Sequence, residues 1–478
     1  MEKEIVKKFD TKVQYLKYKV LREVAHAAWT NTLTETLPEI PKIIIWDKKP
    51  KIRCCIYKER AIVGERVKMA TGGHREKPNV VEVMEIACDD CPASGYEVTS
   101  SCRGCLAHHC KDACKRGAIT VGEDHVAHID KSKCVECGMC SKACPYNAII
   151  NHKRPCQLAC KMGAISMDED QAALIDDSKC ISCGACVYTC PFGAITDKSF
   201  ILDVIALIKG SANNKKFKTY AIVAPAIASQ FSYAKTGQVI SGLKEMGFYS
   251  VVEAASGADE VALAETRELK EKGFLTTSCC PAFVTFIEKF YPDLAQYISH
   301  NPSPMAATAK FIKANDPTAK VVFVGPCIAK KAEAQKEGVR EYVDAVISFE
   351  ELQALFDGKE IDITDLPETT LDNASYFGRI FARSGGVTEA VAEAAKEQNF
   401  DMNVKTCVCN GIEECKIALL KKSKGVLDAD FIEGMACIGG CIGGAGCLTH
   451  GGEKNKTLVD QYGATATKKT LSEEPKAD

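Results

Sequence analysis

The chain has 478 residues, 26% charged and 46% hydrophobic, with a formal net charge of -2 and 27 cysteines. That balance describes a globular protein with room for two or three sizeable cores, excludes a small disulfide scaffold and argues against a nucleic-acid partner. The opening Met1 to Lys8 lacks the apolar core of a secretory signal and no apolar run is long enough to span a membrane, so a cytoplasmic protein without a membrane partner is expected; in that compartment regularly spaced thiols serve metals or redox chemistry.

Residues 1–85 hold an amphipathic stretch near Val13 to Ala28 and a Pro-flanked strand candidate at Ile43 to Trp46, and no chemistry is assigned to them. Residues 86–200 repeat. A cysteine, two variable residues, Gly or Asn, then Ala-Ile recurs at Cys114, Cys144, Cys160 and Cys190, each closing one ferredoxin-like half-repeat. Two units are complete: Cys134, Cys137, Cys140 and Cys144 before Pro145, and Cys180, Cys183, Cys186 and Cys190 before Pro191. In the bacterial ferredoxin spacing three cysteines hold one 4Fe-4S cluster and the fourth reaches to its neighbour. Crossing over therefore gives one set of Cys102, Cys105, Cys110 and Cys144 and another of Cys134, Cys137, Cys140 and Cys114. Cys160 joins Cys180, Cys183 and Cys186 by the same rule, leaving Cys156 and Cys190 two ligands short. Cys88 and Cys91 can complete a fourth set with them; the alternative is that this pair binds zinc or stays free.

From residue 217 the pattern changes to apolar strands at Tyr220 to Ala224, Val321 to Val324 and Val343 to Ile347. These alternate with helical periodicity at Gln238 to Met246, Ala258 to Glu271, Phe349 to Phe356 and Val387 to Lys396. The expected class is an α/β catalytic domain over 217–455, parallel sheets with flanking helices, preceded by α+β ferredoxin-like repeats. Residues 456–478 read as a polar tail, the last dozen disordered. Within the α/β part, Thr277-Ser278-Cys279-Cys280-Pro281 sets two cysteines side by side after a short strand. Adjacent side chains do not easily ligate one metal face, so one thiol is expected to bind metal and the other to stay free as an acid.

Two further signatures follow: Pro326-Cys327-Ile328-Ala329-Lys330-Lys331-Ala332-Glu333, and Glu433 to Gly444 with Met435, Cys437 and Cys441. With Ala224-Pro225-Ala226 and the Phe381-Ala382-Arg383-Ser384-Gly385-Gly386 stretch, they make the chain resemble an iron-only (FeFe) hydrogenase of the monomeric, ferredoxin-linked type, over roughly 217–450. The resemblance implies an H-cluster: a cubane on Cys280, Cys327, Cys437 and Cys441, and a diiron unit with carbon monoxide, cyanide and an azadithiolate, bridged through Cys441. Three to four accessory 4Fe-4S clusters would accompany it. Lys330, with Glu333 close behind it, would donate to a cyanide, and Met435, Phe381 and the backbone around Pro225 would pack against the unit. Protons would pass between the dithiolate amine and Cys279, then through Glu265, Ser299 and Glu268 to solvent near Lys272. A thiol suits that position, since its ordinary pKa of about 8.5 is close to neutral.

The implied activity is reversible interconversion of protons and electrons with dihydrogen. Ferredoxin or flavodoxin would be the electron carrier, and maturation enzymes would install the diiron unit. No Gly-rich dinucleotide fingerprint is present to suggest NAD. Two other readings stay open: a regulatory relative, and an iron-sulfur carrier or assembly protein without the diiron unit. The chain departs from the family pattern with Phe283 for a usual Trp, Gly325 for a Met, Ile438 for a Pro, Ala445 for a Gly, Met305 for a Gln and Lys272 for an Arg. These changes indicate a divergent branch. Cys54, Cys55, Cys407, Cys409, Cys415 and Cys447 are left without a role, Cys407 and Cys409 sharing one face of a strand candidate.

Overall fold

The computed structural model describes residues 8–51, 53–92, 94–400 and 404–473. In the C-terminal half the strands are β1 (Thr219–Val223), β2 (Ser250–Glu253), β3 (Leu275–Thr276), β4 (Lys320–Val324), β5 (Ala345–Ile347), β6 (Thr406–Asn410) and β7 (Phe431–Met435). They form two sheets, ordered β2-β1-β4-β5 and β3-β7-β6, with every neighbour parallel. Short apolar runs such as Val321-Val322-Phe323-Val324 are buried on both faces, as a parallel sheet under helices requires. The sequence-read helices are present as Thr236–Met246, Ala254–Lys272, Phe349–Gly358 and Gly386–Glu397.

The N-terminal region belongs to the same core. Helix Lys12–Trp29 opens on a capping box between Thr11 and Gln14 and buries Tyr18, Leu21, Val24 and Ala25. It crosses helix Phe349–Gly358 so closely that a Cβ on Gly358 would lie 2.7 Å from the Ala25 Cβ. The strand expected at Ile43 to Trp46 is instead the end of a short helix, Ile40–Ile44. Pro41 in its first turn favours the helix, Ile40 and Ile44 stack on one buried face, and Trp46 is 74% exposed. The expected polar tail is also corrected. Helix Glu453–Ala464 buries Val459, and beyond it Leu471 is 3% exposed while Lys468 reaches the buried Asp259 at 2.9 Å. Polar composition there hid two anchoring side chains; residues 474–478 lie outside the described residues. Among the described residues no helix is long and apolar enough to cross a membrane.

The cysteine-rich region is two ferredoxin-like modules, one inserted in the other. The outer module pairs Val81–Val83 with Ile195–Asp197 and contains the hairpin Ile165–Met167/Ala173–Ile175. The inner pairs Gly95–Val98 with Ile149–His152 and contains Ile119–Val121/Ala127–Ile129. The chain thus starts the outer module, leaves after Cys91 to build the inner one, and returns at Pro155. A boundary at residue 86 would cut off the outer module's first strand.

Where the outer module ends, a buried ion network joins three parts of the chain. Asp197 takes Lys17 of the N-terminal helix at 2.6 Å and Lys331 of the second signature at 2.7 Å, and these lysines also meet Glu350 and Glu351 at 2.7 Å. Burial alone would push the Asp197 carboxyl up, but the two ammonium groups hold it well below the usual range. Its contribution to stability is therefore present above the ordinary aspartate pKa of about 3.9 and is lost as pH falls through the depressed folded value. Asp197→Asn leaves two buried cations short of an anion and is expected to lower stability by about 3–5 kcal/mol at neutral pH. Denaturant titration checks this; the deficit should shrink in acid, and an unchanged midpoint at pH 7 would show that the network is not holding the parts together.

Candidate metal centre and proton path

The signature residues stand where strands stop. Cys280 follows β3 and caps helix Pro281–Phe290, with Pro281 in the helix's first turn. Cys327 follows β4 and precedes helix Ile328–Glu333, Pro225 opens the turn after β1, and Cys437 and Cys441 lie in the loop after β7. All sit at the carboxyl ends of parallel strands, where ligand sites of α/β sheets collect. Gly440 has φ +86°, and a Cβ there would lie 2.7 Å from the Ser384 nitrogen, so the Cys437–Cys441 loop needs glycine.

The four thiols converge. Cys280, Cys441 and Cys327 act on one another, and Cys437 faces Cys327 and Cys280. Burial pushes Cys441 up to about 12 and raises Cys327 and Cys437 as well. Thiols so buried become thiolates only against a metal cation, which is the condition for an iron-sulfur cluster.

The diiron half of the expected group can be tested on Lys330. Its Nζ is buried 2.6 Å from Glu333 Oε2, a charge-assisted contact that takes one of the ammonium's three donors. The contact is thus an ion pair that leaves ammonium protons free, and the next groups acting on the ammonium are Cys327 and Cys279. A buried ammonium with unspent donors beside the metal thiols fits a cyanide acceptor. Met435 and Phe381, 2% and 6% exposed, pack with Cys279 and Cys280 in one apolar cluster. These residues fit the group.

On the other side of Cys279 lies Glu265, fully buried on helix Ala254–Lys272. Its Oε1 accepts from the Ser278 N–H and hydroxyl, each at 3.2 Å, while Oε2 is buried without a partner. Burial raises its pKa to about 7, with Ser278 and Ser299 pulling the other way. Ser299 donates to Glu268 at 3.2 Å, and Glu268 meets Lys272 at 2.7 Å and His300 at 2.8 Å. Glu268 is held below the usual range despite partial burial, because Lys272 and the His300 N–H pull against it. The structure thus brings Cys279, Glu265, Ser299, Glu268 and Lys272 into one neighbourhood. Sequence reasoning missed Ser278, His300 and Asn301, whose amide donates to both Glu268 and Ser299. The only signal for them was adjacency to Cys279 and Ser299.

The accessory thiols gather in groups drawn from different half-repeats. Cys156 faces Cys190, Cys88 and Cys91; Cys186 faces Cys183, Cys180 and Cys160. Cys110 faces Cys144 and Cys102, with Cys105 on the same loop. Cys114, Cys134, Cys137 and Cys140 together line an apolar cavity of about 270 Å³. The sets make a file. Cys183 acts on Cys437 and is itself acted on by Cys280, and Cys186 is acted on by Cys156. The inner module enters beside the Cys134 set, where the Tyr96 hydroxyl abuts Gly138, and strand Gly95–Val98 leads on to Cys102.

Two departures from the family pattern have local causes. A Cβ on Gly325 would lie 2.6 Å from the Phe323 ring, which occupies the space a larger side chain would take. Phe283 lies on Gly434, where a Cβ would fall 2.1 Å from its ring. Ile438 is 77% exposed and makes no comparable contact.

Comparison with known proteins identifies the family. The family model "Iron only hydrogenase large subunit, C-terminal domain" matches residues 217–445, and a 4Fe-4S binding domain matches 127–150 and 173–196. Iron hydrogenase 1 of Clostridium pasteurianum is 28% identical over 310 residues, 53% of this chain and 54% of that one, so the chain spans about half its length. The cytosolic Fe-S cluster assembly factor NAR1 of Kluyveromyces lactis is 27% identical over 178 residues, 35% of this chain and 38% of that one. A solved structure of FeFe-hydrogenase HydA1 from Chlamydomonas reinhardtii aligns with TM-score 0.46 at 22% identity, covering 54% of this chain and 87% of that one. The periplasmic Fe hydrogenase large subunit of Nitratidesulfovibrio vulgaris is 30% identical over 383 residues, 67% of this chain and 86% of that one. The chain belongs to the iron-only hydrogenase family.

Proposed function

We propose that the protein is a cytoplasmic hydrogenase that interconverts protons and electrons with dihydrogen and exchanges electrons with a ferredoxin or flavodoxin. The observation that carries this is the pair of buried ionisable groups that act on Cys279: the Lys330 ammonium, with donors left over from its Glu333 contact, and the Glu265 carboxyl. A cubane alone has no use for either.

Cys280, Cys327, Cys437 and Cys441 would hold the cubane and, through Cys441, the diiron unit installed by maturation enzymes. When bound, that unit supplies an open iron position at which dihydrogen is split heterolytically. Lys330 orients it by a charge-assisted hydrogen bond, with Glu333 holding the ammonium, and Met435, Phe381 and Pro225 exclude water. Cys279 takes the proton at Sγ and passes it to Glu265 Oε2. Because burial puts Glu265 near pH 7, both its forms are populated at neutrality and the transfer is reversible. Ser299 and Glu268 carry the proton to His300 and Lys272 at the surface. The thiol sets around Cys183, Cys156, Cys134 and Cys102 would define the electron route.

The similarity to NAR1 favours a second reading, an assembly or carrier protein without the diiron unit. Retention of Cys279, Lys330 and Glu333 weighs against it.

Loading the anaerobic apo-protein with a synthetic diiron unit should give dihydrogen turnover with redox dyes; none in either direction would overturn the enzyme reading. Four accessory cubanes and the H-cluster correspond to about 22 iron atoms per chain, whereas about 18 would remove the set of Cys88, Cys91, Cys156 and Cys190. Cys279→Ala should keep its iron and lose turnover by a factor of about 10²–10⁴. Glu265→Gln should lose turnover similarly without losing stability. A buried carboxyl with a raised pKa costs stability as pH rises from about 4.3 towards its folded value of about 7. The Gln variant should therefore gain on the wild type at pH 8 relative to pH 4, and unaltered turnover would place the proton path elsewhere.

A further inference from the structure

Cys407, Cys409 and Cys415 have no part in the reaction proposed above, yet they are packed thiol to thiol. β6 is the edge strand of the smaller sheet, and its burial alternates: Thr406, Val408 and Asn410 are exposed, Cys407 is half-buried and Cys409 is 1% exposed. The two cysteines therefore share the inward face, and their sulfurs are 3.9 Å apart. Cys415, on helix Ile412–Ser423, is fully buried and reaches the Met435 carbonyl at 3.6 Å. Cys415 and Cys407 both act on the Cys409 sulfur and lower it below its ordinary range, Cys415 contributing most, while burial, then Cys409, raises Cys407. Cys407 is the sulfur a reagent can reach, and Cys409 stands 3.9 Å behind it, within reach to resolve a mixed disulfide.

We propose that Cys407 and Cys409 form a reversible dithiol-disulfide site for low-molecular-weight disulfides, with Cys407 as the accessible sulfur and Cys409 as the resolving one. In the first step the Cys407 thiolate attacks a small disulfide RSSR, forming the mixed disulfide Cys407–S–S–R and releasing one RS⁻. In the second the Cys409 thiolate attacks the Cys407 sulfur, forming the Cys407–Cys409 bond and releasing the second RS⁻. Two thiols of the protein are oxidised, one small disulfide is reduced to two thiols, and the protons leave with them. Residues two apart on a strand have Cα atoms about 6.6–6.8 Å apart, at the upper edge of the range of about 4.4–6.8 Å that a disulfide spans. Such a bond is strained and readily reduced, which makes the site reversible rather than structural. The site stands whether or not the protein turns over dihydrogen.

The test is anaerobic exposure of the cluster-loaded protein to oxidised glutathione, an acid quench, and mass mapping of the tryptic peptide Thr406–Lys416, which holds all three cysteines. The peptide is expected to lose two hydrogen atoms and regain them with dithiothreitol. Cys409→Ser should stop at the mixed disulfide on Cys407, Cys407→Ser should form neither product, and Cys415→Ser should still close the bond. If a variant does not hold its iron, brief alkylation of wild-type Cys407 before the oxidant should block the disulfide in the same way. An unchanged peptide mass, or a bond mapped to Cys409 and Cys415, would overturn the proposal.

Discussion

Four thiols and the buried ammonium of Lys330 meet at a single point, a combination suited to a metal group. Burial raises Cys327, Cys437 and Cys441, so without iron the site would hold neutral thiols beside the charged Lys330. Two parallel sheets are required to build it, because Cys280, Cys437 and Cys441 follow strands of the smaller sheet and Cys327 follows a strand of the larger. Cys280 and Cys327 follow their strands within a few residues, and Cys437 and Cys441 sit on a glycine-rich loop fixed at the end of β7, which gives the precision a metal site needs.

Holding those sheet ends against the electron-carrying modules is a separate problem, and the ion network around Asp197 addresses it. Lys331 sits one residue after Lys330 and bonds to the last strand of the outer ferredoxin-like module. The same carboxylate takes Lys17, so the N-terminal helix, the module and the second signature are locked by one buried anion. Gly184 of the Cys183 loop packs against Ile328 and Ala445, where a Cβ would fall 2.5 Å from the Ile328 Cδ1. Close packing of this kind keeps the Cys183 set next to Cys280 and Cys437.

Much of this was legible in the sequence for identifiable reasons. The cluster sets follow from a cysteine spacing that cubane geometry imposes, and β1 and β4 from apolar runs too short to be helices. The carboxylates Glu265 and Glu268 were singled out through the resemblance and would otherwise have passed for a solvated helix face. What stayed hidden was long-range. Strands of three residues, such as Val81–Val83 and Ile195–Asp197, carry no period, so counting paired Cys88 and Cys91 with Cys156 and Cys190 while the insertion that explains it went unseen. Ile43 to Trp46 has strand composition, but Pro41 and the stacked Ile40 and Ile44 decide for a helix. The pairing of Lys331 with Asp197 across 134 residues leaves no trace in either segment alone.

The central claim is that the free donors of Lys330 await a cyanide of the diiron unit. Infrared spectroscopy of the cyanide stretches after loading the synthetic unit into wild type and Lys330→Met tests it most directly. The account predicts one cyanide band in the wild type displaced by hydrogen bonding, and in the variant loss of that displacement together with weaker retention of the unit. Identical spectra and equal retention in the two proteins would contradict it.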